Sequence, residues 1–121
     1  MPRNFALAAL VALLLLPAAL FARDAREQAR IDFLIHGVES SAGVKFIRNG
    51  SEYDGTAAAA HLRMKANYGG ERLKTAEDFV KYCASESSLT HRKYKIKLGD
   101  GTSMDAANYF AAELRKFDEK H

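Results

Sequence analysis

The stretch from Phe46 to Tyr68 restricts the fold more than any other part of the chain. A short apolar run, a polar break and a long alanine-rich segment follow one another with no linker between them. Val44, Phe46 and Ile47 are β-branched or aromatic and come after Gly43, which favours a short strand. Asn49-Gly50-Ser51 interrupts it, because Asn and Gly accept positive φ and Ser bonds to nearby backbone. Asp54 suits the N-cap of the next helix, with Ser51 as the alternative. Ala57 to Ala60 propagate that helix, and Gly69-Gly70 stops it. A strand handed directly to a helix in this way points to an α+β fold.

At about 100° per residue, Ala58, Leu62 and Ala66 share one helix face. His61, Lys65 and Tyr68 lie on one flank of it, and Arg63 and Asn67 on the other. His61, with Lys65 or Arg63, then forms a candidate polar binding site beside Asn49-Gly50-Ser51. The plainer alternative is a histidine at the core boundary with two solvated cations, which is the commoner fate of a histidine on a helix flank.

The N-terminus has the three-part pattern of a secretory signal peptide: Arg3, an apolar run from Phe5 to Leu16, and a break at Pro17 before Arg23. Cleavage is expected after Ala22, leaving 23–121 as one small exported domain with no membrane span. The run is short of the roughly 20 apolar residues that a span needs. Without Arg3, 17 basic side chains face 15 acidic ones. A surplus this small does not mark a nucleic-acid binder. Cys83 is the only cysteine, so no internal disulfide is available and the apolar core carries the fold. It lies on the apolar side of a predicted helix, where a buried thiol is the usual case.

The remaining elements follow from periodicity. Asp24 to Ser41 reads as a helix with Ile31, Leu34, Ile35 and Val38 inward and Arg26, Glu27, Arg30 and Asp32 mostly outward. Thr75 caps a helix with Phe79, Val80 and Cys83 inside, and Asp78 sits at the capping-box position. Tyr94 to Leu98 alternates, with Lys93, Lys95 and Lys97 on the solvent side. Those lysines either offer a ridge to an acidic partner or shield an exposed edge. Gly99-Asp100-Gly101 turns the chain into a second strand at Thr102 to Met104. Asp105 caps a last helix carrying Tyr109, Phe110, Leu114 and Phe117, beyond which Asp118 to His121 is expected to fray.

The serine cluster Ser85-Glu86-Ser87-Ser88 raises a hydrolase reading, with His61 as base, Ser87 or Ser88 as nucleophile and Glu86 as orienting acid. There is no Gly-x-Ser-x-Gly elbow, and serines after a helix commonly form turns. Arg48 and Glu86 are also placed to pair and pin the strand to this loop. No phosphate-cradling glycine loop, paired cysteines or metal-ligand histidine spacing occurs, so no cofactor and no metal is expected.

Phe46-Ile47-Arg48-Asn49-Gly50, His61-Leu62-Arg63-Met64-Lys65, Thr75-Ala76-Glu77-Asp78-Phe79, Ala84-Ser85-Glu86-Ser87-Ser88 and Tyr94-Lys95-Ile96 together resemble a family of small exported bacterial proteins that carry a domain of unknown function. The resemblance implies a periplasmic address in a Gram-negative bacterium and one compact domain. It implies no activity and no catalytic residues.

These readings converge on an α+β domain: about four helices on a small, mainly antiparallel sheet of two to three strands. The expected function is a non-catalytic binding or interaction module of the cell envelope, whose partner is an envelope protein or an acidic cell-wall component. The alternative is the small hydrolase. The candidate binding residues are Arg48, Asn49, His61, Arg63, Lys65, Ser87 and Ser88.

Overall fold

A computed structural model describes residues 23–121. The signal peptide expected over residues 1–22 lies outside them. Helix α1 spans Ala25–Ser40 and starts at Asp24, whose carboxylate accepts from the backbone N–H groups of Arg26 and Glu27. Its inward stripe is the expected Ile31, Leu34, Ile35 and Val38. Strand β1, Lys45–Arg48, leads into strand β2, Ser51–Tyr53. Helix α2 then runs over Gly55–Gly69, with Asp54 accepting from Ala57 N. A 3-10 turn at Gly70–Arg72 and helix α3, Ala76–Cys83, follow. Strands β3, Lys95–Lys97, and β4, Ser103–Asp105, form the second hairpin, and helix α4 spans Ala106–Lys120.

The α+β expectation holds, with one strand more than foreseen. Asn49-Gly50 does not merely end a strand. Both residues have positive φ, 51° and 82°, as a two-residue type I′ hairpin turn requires. The chain therefore folds straight back as β2. The sheet order is β2-β1-β3-β4, antiparallel throughout, with Phe46 opposite both Tyr53 and Ile96.

The helices cover one face of the sheet. Phe46, Tyr94 and Ile96 point into that layer and meet Leu34, Leu62, Phe79 and Phe110 in one continuous core. The opposite face is polar. Its lysines do not shield an edge, because β3 is an inner strand. Lys95 and Lys93 instead pair with Asp105, and Lys97 with Glu52 at 3.1 Å. The lysines of the ridge thus pair with carboxylates of their own sheet. Asp105 is consequently occupied across the sheet and gives α4 no side-chain cap.

Two further expectations change. Arg30 is not solvated but 8% exposed. It makes ion pairs with Glu27, Glu77 and Asp118. Because Asp118 is held there, the C-terminal turn does not fray: α4 continues to Lys120 and His121 stacks on Phe117 with ring centroids 4.2 Å apart. Helix α3 bears out its predicted capping box, with Thr75 and Asp78 each satisfying the other's backbone N–H. Thr75→Ala is expected to cost about 1 kcal/mol in urea denaturation. An unchanged midpoint would mean that tertiary packing alone holds this end of α3.

Candidate functional site

Two depressions border α2, one on each side of the flank that carries His61 and Lys65. The first is a cleft of about 130 Å³ between the β1–β2 hairpin and the N-terminal half of α2. Phe46, Arg48 and Tyr53 line it from the hairpin, and Ala57, Ala58 and His61 from the helix. The register explains the set. Phe46 pairs with Tyr53 and Arg48 with Ser51, so alternate residues of both strands face α2. The space exists because the helix presents methyl groups there and not larger side chains.

Arg48 donates to the Tyr53 hydroxyl at 3.1 Å, and its guanidinium lies over the same ring, 5.1 Å from the centroid. The expected Arg48–Glu86 pair does not form. Glu86 lies 3.5 Å from His91 instead. His61 packs edge-on to Tyr94 at 6.3 Å between centroids. Its Nε2 is buried and has no hydrogen-bond partner. Burial, then the neighbouring charges of Arg48 and Lys65, hold its pKa below the ordinary histidine value. The ring is therefore uncharged at neutral pH.

The second depression is a groove of about 420 Å³ between the C-terminal half of α2 and α3. Met64, Lys65, Tyr68, Arg72, Tyr82 and Ser88 line it, with Leu73 and Cys83 at its base. Tyr68 is 90% exposed, Met64 57% and Tyr82 51%. Three large apolar side chains left in water around one groove make a concentrated patch. Lys65 donates to the Tyr94 hydroxyl at 3.2 Å. Neither Lys65 nor Arg72 has a carboxylate partner among the described residues. Cys83 is buried as expected, and burial pushes its thiol pKa up, which makes it a weak nucleophile at neutral pH.

The candidate residues from the sequence thus divide among several places. Arg48 and His61 share the cleft. Lys65 and Ser88 share the groove. Arg63 faces away and clamps Glu39 of α1 through both terminal nitrogens, at 2.8 and 3.1 Å. Asn49 reaches the serine loop: its Oδ1 accepts from the Thr90 hydroxyl at 2.6 Å and its Nδ2 lies 3.5 Å from Ser87 Oγ. Ser87 is buried, and its Oγ accepts from the backbone of Leu89 and Thr90, each at 3.3 Å. The hairpin is therefore pinned to the serine loop through Asn49 and not through Arg48. Helix geometry puts Tyr68 beside Lys65, while the candidate set drawn from the sequence does not include Tyr82 or Arg72. The available signal for Tyr82 was an aromatic residue off the Phe79–Cys83 stripe of an amphipathic helix.

Among the described residues, no helix is long and apolar enough to cross a membrane. No solved structure matches the chain. It is 37% identical over 86 residues to the uncharacterized protein YfeK of Salmonella typhimurium, an alignment covering 71% of this chain and 72% of that protein. Residues 25–118, from the start of α1 to the carboxylate that Arg30 holds on α4, match a family of unknown function. The chain belongs to that family, DUF5329.

Proposed function

We propose that the protein is a non-catalytic binding module of the bacterial cell envelope, exported by a signal peptide cleaved after Ala22. Its docking face is the groove between α2 and α3, and its occupant is an acidic segment of an envelope protein anchored by an apolar side chain. One observation carries the reading: Met64, Tyr68 and Tyr82 stand exposed around a single groove rimmed by Lys65 and Arg72. Exposed aromatics in a concave patch are the usual anchors of interfaces, and two cations without carboxylate partners favour an anionic occupant. Export is supported by Arg3, the apolar run from Phe5 to Leu16 and the break at Pro17.

The hydrolase alternative has less behind it. Ser87 Oγ is engaged in its own turn, Ser88 lies in the groove and not in the cleft with His61, and His61 Nε2 bonds to neither.

The test is a photo-crosslinking amino acid at position 68 of the protein expressed with its leader. Mass spectrometry is expected to find a mature N-terminus at Arg23 and crosslinks to a protein segment holding Asp or Glu beside an apolar residue. Arg72→Glu should lower the yield about tenfold with an unchanged melting temperature, the equivalent of roughly 1.4 kcal/mol. Crosslinks to glycan strands would reassign the groove to an acidic cell-wall component. A yield indifferent to Arg72→Glu would remove the charge argument.

A further inference from the structure

The cleft under the β1–β2 hairpin is distinct from the groove and is built differently. Its walls are apolar: Phe46, the methyl groups of Ala57 and Ala58, and the side of the uncharged His61 ring. Apart from the His61 imidazole, its polar groups come from the hairpin side only. Arg48 carries five N–H donors, and among the described residues one is used within the protein, toward Tyr53 Oη. Tyr53 accepts that bond, so its own O–H remains able to donate. The pair therefore presents a planar cation and a hydroxyl at the rim of an apolar recess, and no carboxylate of the described residues pairs with Arg48.

Glu52 and Asp54, close to Arg48 in the chain, and Glu86 of the serine loop are engaged elsewhere. Glu52 pairs with Lys97, Asp54 caps α2 and Glu86 faces His91. The volume is also informative. An apolar cavity of roughly 150 Å³ takes benzene, and this one is about 130 Å³ with a polar rim. A recess of that size accepts a single ring or a short branched chain and nothing much larger.

We propose that this cleft binds a small organic acid: a carboxylate held by Arg48 and the Tyr53 hydroxyl, with a benzene-sized apolar body lying between Phe46, Ala57, Ala58 and His61. Guanidinium and carboxylate match in a planar, two-bond geometry, and the hydroxyl adds a third donor. The apolar body supplies the burial that a surface ion pair lacks. Selectivity follows from both halves: a neutral ring lacks the anion, and acetate lacks the body.

Benzoate is the probe, titrated into the purified protein and followed by NMR chemical shifts of the Arg48, Tyr53 and Ala57 amides. Saturable binding is expected with a Kd on the order of 1 mM, as suits so small a ligand. Benzamide and acetate should each bind at least about tenfold more weakly. Ala57 is exposed on α2, so Ala57→Leu can fill the recess from outside without entering the core, and it should remove binding while leaving the melting temperature in place. Arg48→Gln should weaken benzoate about tenfold and leave benzamide unchanged. The proposal is overturned if benzoate fails to saturate, if Ala57→Leu leaves its affinity intact, or if benzamide matches it.

Discussion

Arg30→Met is expected to lower the unfolding free energy by about 2–3 kcal/mol. Arg30 sits at the meeting point of α1, α3 and α4. It holds Asp118 with two nearly parallel bonds of 3.1 and 3.0 Å, Glu27 at 2.8 Å and Glu77 at 2.6 Å. Methionine keeps the aliphatic stem but leaves Glu27 and Glu77 facing no cation and Asp118 with Arg26 alone, at 3.1 Å. Removing one partner of a fully buried pair costs about 3–5 kcal/mol. The figure is reduced here because the Glu77 side chain is mostly exposed and Asp118 partly so, where solvent screens the charge.

The loss has a pH signature. The hydrogen bond from Arg30 holds the Glu77 carboxyl below its ordinary value in the folded state. A depressed folded-state pKa contributes stability that is fully present above the unfolded value. It is lost as pH falls through the folded one. The difference between wild type and Arg30→Met, measured by urea denaturation, should therefore be full near neutral pH and shrink in the acid range below about pH 4. A difference that stays constant with pH would mean that only packing was lost.

Gly55→Ala is expected to destabilise by a similar amount, for a purely steric reason. Gly55 is the first residue of α2, where it crosses the end of α1. A Cβ added there would lie 2.3 Å from the Val38 carbonyl oxygen and 3.2 Å from that of Glu39. Both obstacles are backbone, so neither can swing aside as a side chain would. The two helices must separate, and overpacking of this kind costs about 1–3 kcal/mol or more. Alanine regains little helix propensity at the first position of a helix, so the net loss stays near the middle of that range, about 2 kcal/mol. For a domain of this size that is a fall of roughly 10 °C in Tm. Thr56→Ala, one residue on and exposed, serves as the control. If both variants melt within about 2 °C of wild type, the close crossing of α1 and α2 is not present in solution.

How much of this was legible depended on how far apart the interacting residues lie. Helix starts at Asp24, Asp54 and Thr75 were readable because a cap is a bond over two or three residues. The α1 stripe and the Tyr94–Ile96 alternation were readable because burial repeats with the period of the element. Arg30 was not, since its partners Glu77 and Asp118 lie 47 and 88 positions away and no local spacing announces them. Asp105 looked like a cap and was one in backbone position, but a lysine on the neighbouring strand claimed its carboxylate. Strand β2 was missed although Asn49-Gly50 is a hairpin signal, because Ser51-Glu52-Tyr53 is too short and too polar to register as a strand by composition. The cleft was half visible. His61 and Arg48 stood out by type, but the space between them is made by alanines, and an alanine run reads as helix propensity before it reads as room for a ligand.

The sheet order also bears on how the chain reaches this structure. Each hairpin is local: β1 meets β2 across two residues, and β3 meets β4 across a short turn. The seam between them is not. Phe46 lies beside Ile96, and α2, α3 and the serine loop all intervene. The hairpins and helices are closed by short loops at little entropic cost, whereas the β1–β3 seam closes a long one. That seam also carries the contact of Phe46 with Tyr94, whose rings meet 5.0 Å apart at the centre of the core. The β1–β3 pairing is therefore the most non-local contact in the sheet, and the entropy of closing the chain is concentrated where the two hairpins join.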